Sequence, residues 1–235
     1  MEKVLIGWQK QPDKLNIQGE IERAIYEVTG ESVGLTASGR TDAGVHSLGQ
    51  TANFKMENQM PVEKIPLAIN SKLKKTIRVK SAEEVDERFH ARYNCRGKKY
   101  RYVINNGPIE SALYRDFELH IGTKLDVNKM QEAANYFVGK FDFSAFKSSG
   151  TSSKNSVREI YKAEVIKDGD RIKIELTGSG FLYNMVRIIS GTLVDVGLGK
   201  LEPEAIPEII DSKDRGNAGK TLPPQGLYLV EVYYE

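Results

Sequence analysis

The sequence predicts an α+β protein of two similar lobes, each a twisted antiparallel or mixed β-sheet with helices on one face, with an active-site cleft between the lobes. The chain has 235 residues, enough for two compact cores. Alternating and helical hydrophobic patterns follow one another in the order β, α, β, β, α, β and continue in a second set of similar character. A basic stretch around 95–100 separates the two sets, so we place the lobes at residues 1–97 and 98–235.

The first lobe is expected to contain a helix over "NIQGEIERAIYEVTG" (16–30). Its aliphatic residues recur at helical spacing, Asn16 is a suitable N-terminal cap, and Gly30 is a suitable end. Two strands then flank the loop "ASGRTDAGVH" (37–46), which leaves the loop tip able to face a ligand. The complete set of further predictions for this lobe is strands over 32–37, 49–56 and 76–82 and a short helix over 62–73.

In the second lobe, "KKYRYVIN" (98–105) alternates as a strand does, with Tyr100, Tyr102 and Ile104 on one face. The segment "FLYNMVRIISGTLVDVG" (181–197) is apolar almost all round and predicts a buried helix, in which Arg187 needs a partner. The other predictions are a helix over 127–139, a loop-rich insert over 146–156, a hairpin over 156–178 that turns at Asp168-Gly169, and a closing strand over 226–234.

Composition excludes several classes of protein. No apolar run reaches the ~18 residues that a membrane-spanning helix needs. The single cysteine, Cys95, rules out an internal disulfide and a multi-cysteine zinc site, and the three histidines lie too far apart in sequence for metal-ligand spacing. These features predict a cytoplasmic protein without a metal centre.

The net charge of +2 hides an asymmetry along the chain. Residues 1–101 carry 18 Lys and Arg against 13 Asp and Glu, a net of +5, and the remainder carries a net of −3. Most of the excess lies in two runs without any acid, "SKLKKTIRVK" (71–80) and "RFHARYNCRGKKYR" (88–101). A single run of this kind is typical of a solvated surface, but cations interleaved with aromatic residues also suit a nucleic acid whose bases can stack.

Asp42 is the strongest candidate for a reactive group. An aspartate beside glycine is usually a turn former, but Gly39 and Gly44 permit close approach of a ligand, and Arg40 lies two residues away. A neighbouring guanidinium stabilises the ionised form of a carboxylate and keeps it available as a nucleophile. Arg187, the one charge of its apolar helix before Asp195, is a second source of such a charge.

Tyr100 has two interpretations: a core side chain of an alternating strand, or an aromatic ring that contacts a base among the neighbouring cations. We interpret His46 and His90 as structural or RNA-contacting residues, because neither has a second histidine at metal spacing. Cys95 has basic neighbours but no base or resolving cysteine, so we assign it no role.

Five stretches, in this order, resemble the TruA-type tRNA pseudouridine synthase A family over nearly the whole chain. They are "GWQKQ" (7–11), "SGRTDAGVHSLGQTANF" (38–54), "FHARYNCRGKKYRYVINN" (89–106), "FLYNMVRIISGTLVDVGLGK" (181–200) and "DRGNAGKTLPPQGLYL" (214–229). The "GRTDAGVH" block is a specific signal by itself. One departure stands at the start, where the family has a "YDG"-like stretch and this sequence has "MEKVLI" (1–6).

The resemblance implies a pseudouridine synthase fold and the roles of three residues. Asp42 matches the family's nucleophile, Tyr100 the residue that contacts the target base and takes part in removing its C5 proton, and Arg187 the ion-pair partner of the nucleophile. Arg40 is expected to contact the RNA backbone or assist base extrusion. The full set expected to bind substrate is Tyr100, Arg40, His46, Arg92, Arg96, Lys98 and Lys99.

The activity implied is isomerisation of uridine to pseudouridine in the anticodon stem-loop of tRNAs, at positions 38, 39 and 40 of conventional tRNA numbering. The resemblance also implies a homodimer, a tRNA partner, no membrane association and no cofactor. Two alternatives stay open: a related pseudouridine synthase that acts on other RNA sites, and a non-catalytic RNA-binding protein.

Overall fold

The structure is a computed structural model that describes residues 5–11, 14–150 and 155–234. Most of the "MEKVLI" departure and residues 151–154 of the predicted insert lie outside the described residues. The described chain forms two compact units. The first contains the residues up to Gly44 together with Gln50–Cys95, and the second contains Val45–Gly49 together with the chain from Arg96 onward.

The first unit packs two helices over a small hydrophobic core. Helix α1 (Ile17–Thr29) begins after Asn16, whose side chain accepts a hydrogen bond from the Gly19 N–H, and ends at Gly30 in the left-handed conformation, as predicted. Helix α2 (Ile65–Lys72) follows a short 3-10 turn. The strands of this unit are short: β1 (Thr36–Ala37) and β3 (Ala52–Asn53) pair antiparallel, and β2 (His46–Ser47) between them belongs to the second unit.

The strand predicted for residues 76–82 is wrong, since this segment has no strand pairing in the structure. The backbone groups of Val79 are bound instead by a side chain: the Asn70 amide donates to the Val79 carbonyl at 2.7 Å, and the Asn70 Oδ1 accepts from the Val79 N–H at 2.8 Å. One amide side chain therefore satisfies the two groups that a neighbouring strand would have bound.

The second unit is built on one seven-stranded mixed sheet, which confirms the α+β class. Its strands are β2, β4 (Gly97–Asn105), β5 (Leu119–His120), β6 (Gly139–Asp142), β7 (Val157–Asp168), β8 (Arg171–Gly178) and β9 (Leu227–Tyr233). The order is β2-β9-β4-β8-β7-β6, with β5 added beside β4. The predicted β7–β8 hairpin turns at Gly169, whose φ is 59°. Strand β4 is antiparallel to both β8 and β9 and thus lies inside the sheet.

Helices cover one face of this sheet. They are α3 (Val127–Asn135), α4 (Met185–Gly197) and α5 (Ala205–Ser212), of which α5 was not predicted. Tyr102 and Ile104 of β4 are fully buried against them, as the alternation predicted. Helix α4 is buried along most of its length but begins four residues later than expected, because Asn184 has a left-handed backbone (φ 61°) that a helix cannot include. None of the helices in the described part of the chain has the length and apolar character that a membrane crossing requires.

The opposite face of the sheet carries a charge cluster around Glu175. The carboxylate is 6% exposed and is bound by Lys99 at 2.5 Å and by Arg101 at 2.6 Å. Burial alone would raise the pKa of Glu175, but the hydrogen bonds and charges of Lys99 and Arg101 outweigh it, so the pKa lies below its ordinary value. The ionised carboxylate thus joins two positions of β4 to β8.

We expect Glu175→Gln to lower the free energy of unfolding by about 2 kcal/mol at neutral pH, because it removes the charge that both cations bind. A pKa lowered in the folded state contributes stability above the ordinary carboxyl pKa and loses it as the pH falls through the lowered value. The difference between wild type and variant should therefore shrink in acid. Urea unfolding at a series of pH values measures it, and a pH-independent difference would show that the charge is not the cause.

Candidate active site

The loop that carries Asp42 is held at its base by hydrogen bonds within the first unit. The Ser38 N–H donates to the Thr51 carbonyl at 2.9 Å, which continues the β1–β3 pairing by one bond. The Ser38 hydroxyl lies 2.6 Å from the Gln50 Oε1, and the Gln50 amide donates to the Gly39 carbonyl at 2.9 Å. The two ends of the loop are thereby joined, and its tip projects from a fixed base.

At the tip of the loop, a buried residue directly precedes the exposed Asp42. Thr41 is buried, whereas Asp42 directly after it is exposed. Gly44 adopts a φ of 78°, a conformation that favours glycine, whereas Gly39, the other glycine expected to permit close approach, does not have a positive φ. Arg40 and Arg92 lie in the same unit and are both exposed. The loop thus presents an exposed carboxylate on a backbone that is hydrogen-bonded at its base.

Tyr100 lies on β4 in the second unit, between its partners Leu176 and Leu229 on the two neighbouring strands. The side chain is half-buried, and its ring meets that of Phe181 edge to face with centroids 5.1 Å apart. The pairing of β4 with β9 shifts register between Lys99 and Tyr100. A register shift of this kind re-aims the side chain beside it, a feature frequent next to active sites.

Arg187 is half-buried on α4, and the structure gives it two neutral partners. Its Nε donates to the Leu222 carbonyl at 2.6 Å, and its Nη1 donates to the Asn184 Oδ1 at 2.8 Å. The backbone of Arg187 in turn accepts from the Leu222 N–H at 3.3 Å. Two of the five guanidinium donors are used by these bonds, so the group is fixed in orientation while its charge is not neutralised by them.

Tyr102 extends this arrangement to the central strand. Its hydroxyl donates to the Pro223 carbonyl at 2.7 Å, next to the residue that Arg187 binds. Burial raises the pKa of Tyr102, and the nearby charge of Arg187 opposes that shift. Sequence reasoning missed Tyr102, Asn184 and Leu222 as supports of Arg187. The available signal was that all three lie in stretches that resemble the family (89–106, 181–200 and 214–229). Only the fold shows that these stretches lie next to one another.

His46 lies in the second unit, where its ring is stacked between two aromatic rings. The centroid of Tyr228 is 4.8 Å away and that of Phe117 is 5.1 Å away. One ring nitrogen is 2.9 Å from the Asp116 carbonyl oxygen. These contacts give His46 a structural function in joining β2 to residues 116–117.

The predicted cations of the second unit cluster at the start of β4. Arg96 is exposed, Lys98 and Lys99 are half-buried, and Lys99 is the partner of Glu175 already described. An open cavity of about 500 Å³ lies here, lined by Arg96, Gly97, Tyr161 and Tyr233. Exposed tyrosine beside arginine is the combination on which nucleic-acid bases stack. Among the described residues, no group of three or more His, Cys, Asp and Glu side chains is arranged to hold a metal ion.

Comparison with known proteins identifies the family. The model of the tRNA pseudouridine synthase family matches residues 6–94 and 133–235, which include the Asp42 loop and the Arg187 helix. The chain belongs to this family. The prediction of an isomerase of the tRNA pseudouridine synthase type is therefore confirmed, as is the resemblance on which it depended.

Curated relatives extend the match over nearly the whole chain. A protein of Caldicellulosiruptor saccharolyticus named tRNA pseudouridine synthase A is 52% identical over 228 residues, which cover 97% of this chain and 93% of the relative. Proteins of the same name from Acetivibrio thermocellus and Brevibacillus brevis are 51% and 46% identical, with the same two coverages. Family membership thus applies to both units of the fold.

We predict that Arg187→Lys lowers the free energy of unfolding of this pseudouridine synthase by about 1–2 kcal/mol. The reason is that one lysine ammonium cannot make the bonds to both the Leu222 carbonyl and the Asn184 Oδ1 in the present geometry. Activity should fall as well. Urea unfolding and initial rates measure the two effects. Arg88→Lys, at a side chain that is 93% exposed, is the matched control and should change neither. Equal stability of wild type and Arg187→Lys would contradict the bonding described.

Proposed function

We propose that this enzyme isomerises uridine to pseudouridine at positions 38, 39 and 40 in the anticodon stem-loop of tRNAs, with Asp42 as the nucleophile. One observation carries the proposal: the family match includes a loop whose single carboxylate, Asp42, is exposed at the tip of a hydrogen-bonded base. A nucleophile must reach its substrate without losing orientation, and this loop supplies both properties.

The reaction conserves every atom of the nucleotide. The bond between N1 of uracil and C1′ of ribose breaks, the base turns, and a bond forms between C5 and C1′. The proton on C5 is released and N1 gains one, so no oxidant, reductant or transferred group is required. The target base is flipped out of its stack, at a cost of a few kcal/mol that stacking and hydrogen bonds in the pocket offset.

We assign three roles from the resemblance. Asp42 attacks the nucleotide and forms a bond to it that breaks again before the product leaves, so the carboxylate is regenerated. Tyr100 contacts the target base and takes part in removing the C5 proton, and Arg187 supplies the positive charge that keeps the nucleophile ionised. Two observations support the last assignment. The Arg187 guanidinium is half-buried, and the two bonds that hold it go to neutral oxygens, which do not compensate its charge.

Contacts to the RNA backbone are proposed for the exposed cations. Arg40, Arg92 and Arg96 are exposed and lie in or beside the loop and the basic run 88–101. Lys98, Lys99 and His46 are less accessible, and Lys99 would have to share its charge between Glu175 and a phosphate. Because phosphate contacts release counterions, affinity for tRNA is expected to fall steeply with salt.

Asp42→Asn should abolish pseudouridine formation and leave tRNA affinity within about tenfold, because one carboxylate contributes little to the binding of a polyanion. Chemical mapping of pseudouridine in tRNA measures turnover at positions 38–40, and filter binding measures affinity. Asp86→Asn, at an exposed carboxylate of the same unit, is the control and should behave as wild type.

Three outcomes of that experiment would contradict part of the proposal. Pseudouridine found only outside the anticodon arm would indicate a related synthase with a different RNA site. Normal turnover by Asp42→Asn would remove Asp42 as the nucleophile, and the absence of turnover by wild type that still binds tRNA would favour a non-catalytic RNA-binding protein.

We also propose that the enzyme is a cytoplasmic homodimer. A tRNA substrate and a sequence with one cysteine both suit a reducing cytoplasm. The segment between β4 and β5 exposes several large apolar side chains at close spacing: Ile109 at 81%, Leu113 at 82%, Tyr114 and Phe117. An apolar cluster of this kind is typical of a surface that a partner covers, and a second copy of this chain is the partner that the family resemblance implies.

The double variant Ile109→Lys with Leu113→Glu should raise the dissociation constant of the dimer by about a hundredfold, because it places charges in an apolar interface. Sedimentation velocity over a range of concentrations measures the change. Leu67→Glu is the control, at a leucine of the first unit that is 75% exposed, and should leave the dimer intact. A double variant as dimeric as wild type would place the interface elsewhere.

A further inference from the structure

We propose that Gly7 is a positioning residue for Asp42: it lets the chain at residues 6–10, here called the strap, support the backbone of the reactive loop. The inference rests on the proposed role of Asp42. It also gives a function to the "GWQKQ" block, which the reaction itself leaves unexplained.

The strap is fixed to helix α1 and its preceding turn on one side. The Ile17 N–H donates to the Gly7 carbonyl at 3.1 Å, and the Gln18 N–H donates to the Trp8 carbonyl at 3.0 Å. The Gln18 side chain accepts in addition from the Lys10 N–H at 3.2 Å. Hydrogen bonds from the backbone of α1 and from the Gln18 side chain therefore set the position of the strap independently of the Asp42 loop.

On its other side the strap contacts the loop. The Trp8 N–H donates to the Thr41 carbonyl at 3.1 Å. The Trp8 side chain, which belongs to the single tryptophan of the chain, is 6% exposed. Thr41 is itself buried, so this bond is shielded from water and fixes the peptide group that immediately precedes Asp42.

Only glycine allows this approach. Gly7 has a φ of 97°, and a Cβ placed on it would lie 2.6 Å from the Thr41 carbonyl oxygen, 3.0 Å from the Asp42 carbonyl carbon and 3.1 Å from the Ala43 nitrogen. All three atoms are backbone atoms of the loop tip, which cannot rotate aside as a side chain would. A methyl group at residue 7 must therefore displace the loop, the strap or both.

A small displacement at this point has a large chemical effect. Nucleophilic attack needs the reacting atoms within about 3–3.5 Å and in line, and a misplacement of about 1 Å can lower the rate a hundredfold. Binding of tRNA, by contrast, is spread over many phosphate contacts and is insensitive to the position of one loop peptide. Loss of the glycine should therefore act on kcat and spare KM.

The test compares Gly7→Ala with Gly30→Ala. Gly30 lies in the same unit with a φ of 79°, but a Cβ there would have no neighbour within 4 Å, so it reproduces the backbone strain without the contact. We expect Gly7→Ala to lower kcat at least ~30-fold with KM for tRNA within about threefold, and Gly30→Ala to change neither beyond about twofold. Blue-shifted Trp8 emission shows that each variant retains its folded strap.

A second variant keeps the test decisive where Gly7→Ala does not fold. Gln18→Ala removes the acceptor of the Lys10 N–H bond, together with the bonds that the Gln18 amide donates to Glu22 and to the Leu35 carbonyl. In a variant whose Trp8 emission shows a folded strap, this loss should lower kcat about threefold without a change in KM. Unchanged kcat in folded Gly7→Ala, or in Gln18→Ala when that variant must be used, overturns the inference. So does an equal loss of kcat in Gly7→Ala and Gly30→Ala.

Failure of this inference is distinguishable from failure of the proposed function. If Asp42→Asn is inactive while Gly7→Ala turns over normally, the assignment of Asp42 as the nucleophile is supported and only the positioning role of Gly7 is wrong. If Asp42→Asn turns over normally, the nucleophile falls, and no kinetic result on Gly7 can then support its positioning role.

Discussion

The reciprocal bonding of Arg187 and Leu222 is the constraint on which the second unit depends. The Arg187 side chain on α4 donates to the Leu222 carbonyl, and the Arg187 carbonyl accepts from the Leu222 N–H. The Tyr102 hydroxyl of the central strand β4 donates to the carbonyl of Pro223, the next residue. Close packing supports this junction, since a Cβ on Gly191 would lie 1.9 Å from the Lys220 carbonyl oxygen. A cation is thus fixed beside the strand that carries Tyr100.

Much of the fold was predictable because its signals are local. The cap at Asn16, the left-handed Gly30 and the turn at Gly169 each depend on neighbouring residues alone. The strand predicted over 76–82 was wrong, and at Val79 the Asn70 side chain binds the N–H and the carbonyl that a neighbouring strand would have bound, a contact that no periodicity reveals. The late start of α4 was also missed for a reason that periodicity does not reveal, because an apolar pattern does not show that Asn184 adopts a left-handed backbone.

The candidate site was predictable at the level of residues and less so at the level of contacts. The "GRTDAGVH" block singled out Asp42, and the apolar helix singled out Arg187 as a cation in need of a partner. One partner seen within its unit, the Leu222 carbonyl, lies 35 positions further along the sequence, which no spacing could indicate. The other, the Asn184 amide oxygen, lies only three positions before Arg187, but the apolar pattern of the segment did not single it out. In the sequence, Lys99 belongs to a basic run that suggests a cation available to RNA. In the structure it binds Glu175, which lies 76 positions further along the chain.

The central claim is that the exposed carboxylate of a rigid loop drives isomerisation of uridine in tRNA. Tritium release from tRNA labelled at C5 of uridine tests it most directly, because only a reaction that breaks the C5–H bond releases the label. The account predicts release by the wild-type enzyme, one tritium for each pseudouridine formed, with no added cofactor, and no release by Asp42→Asn. Retention of the label by an enzyme that binds the tRNA would contradict it.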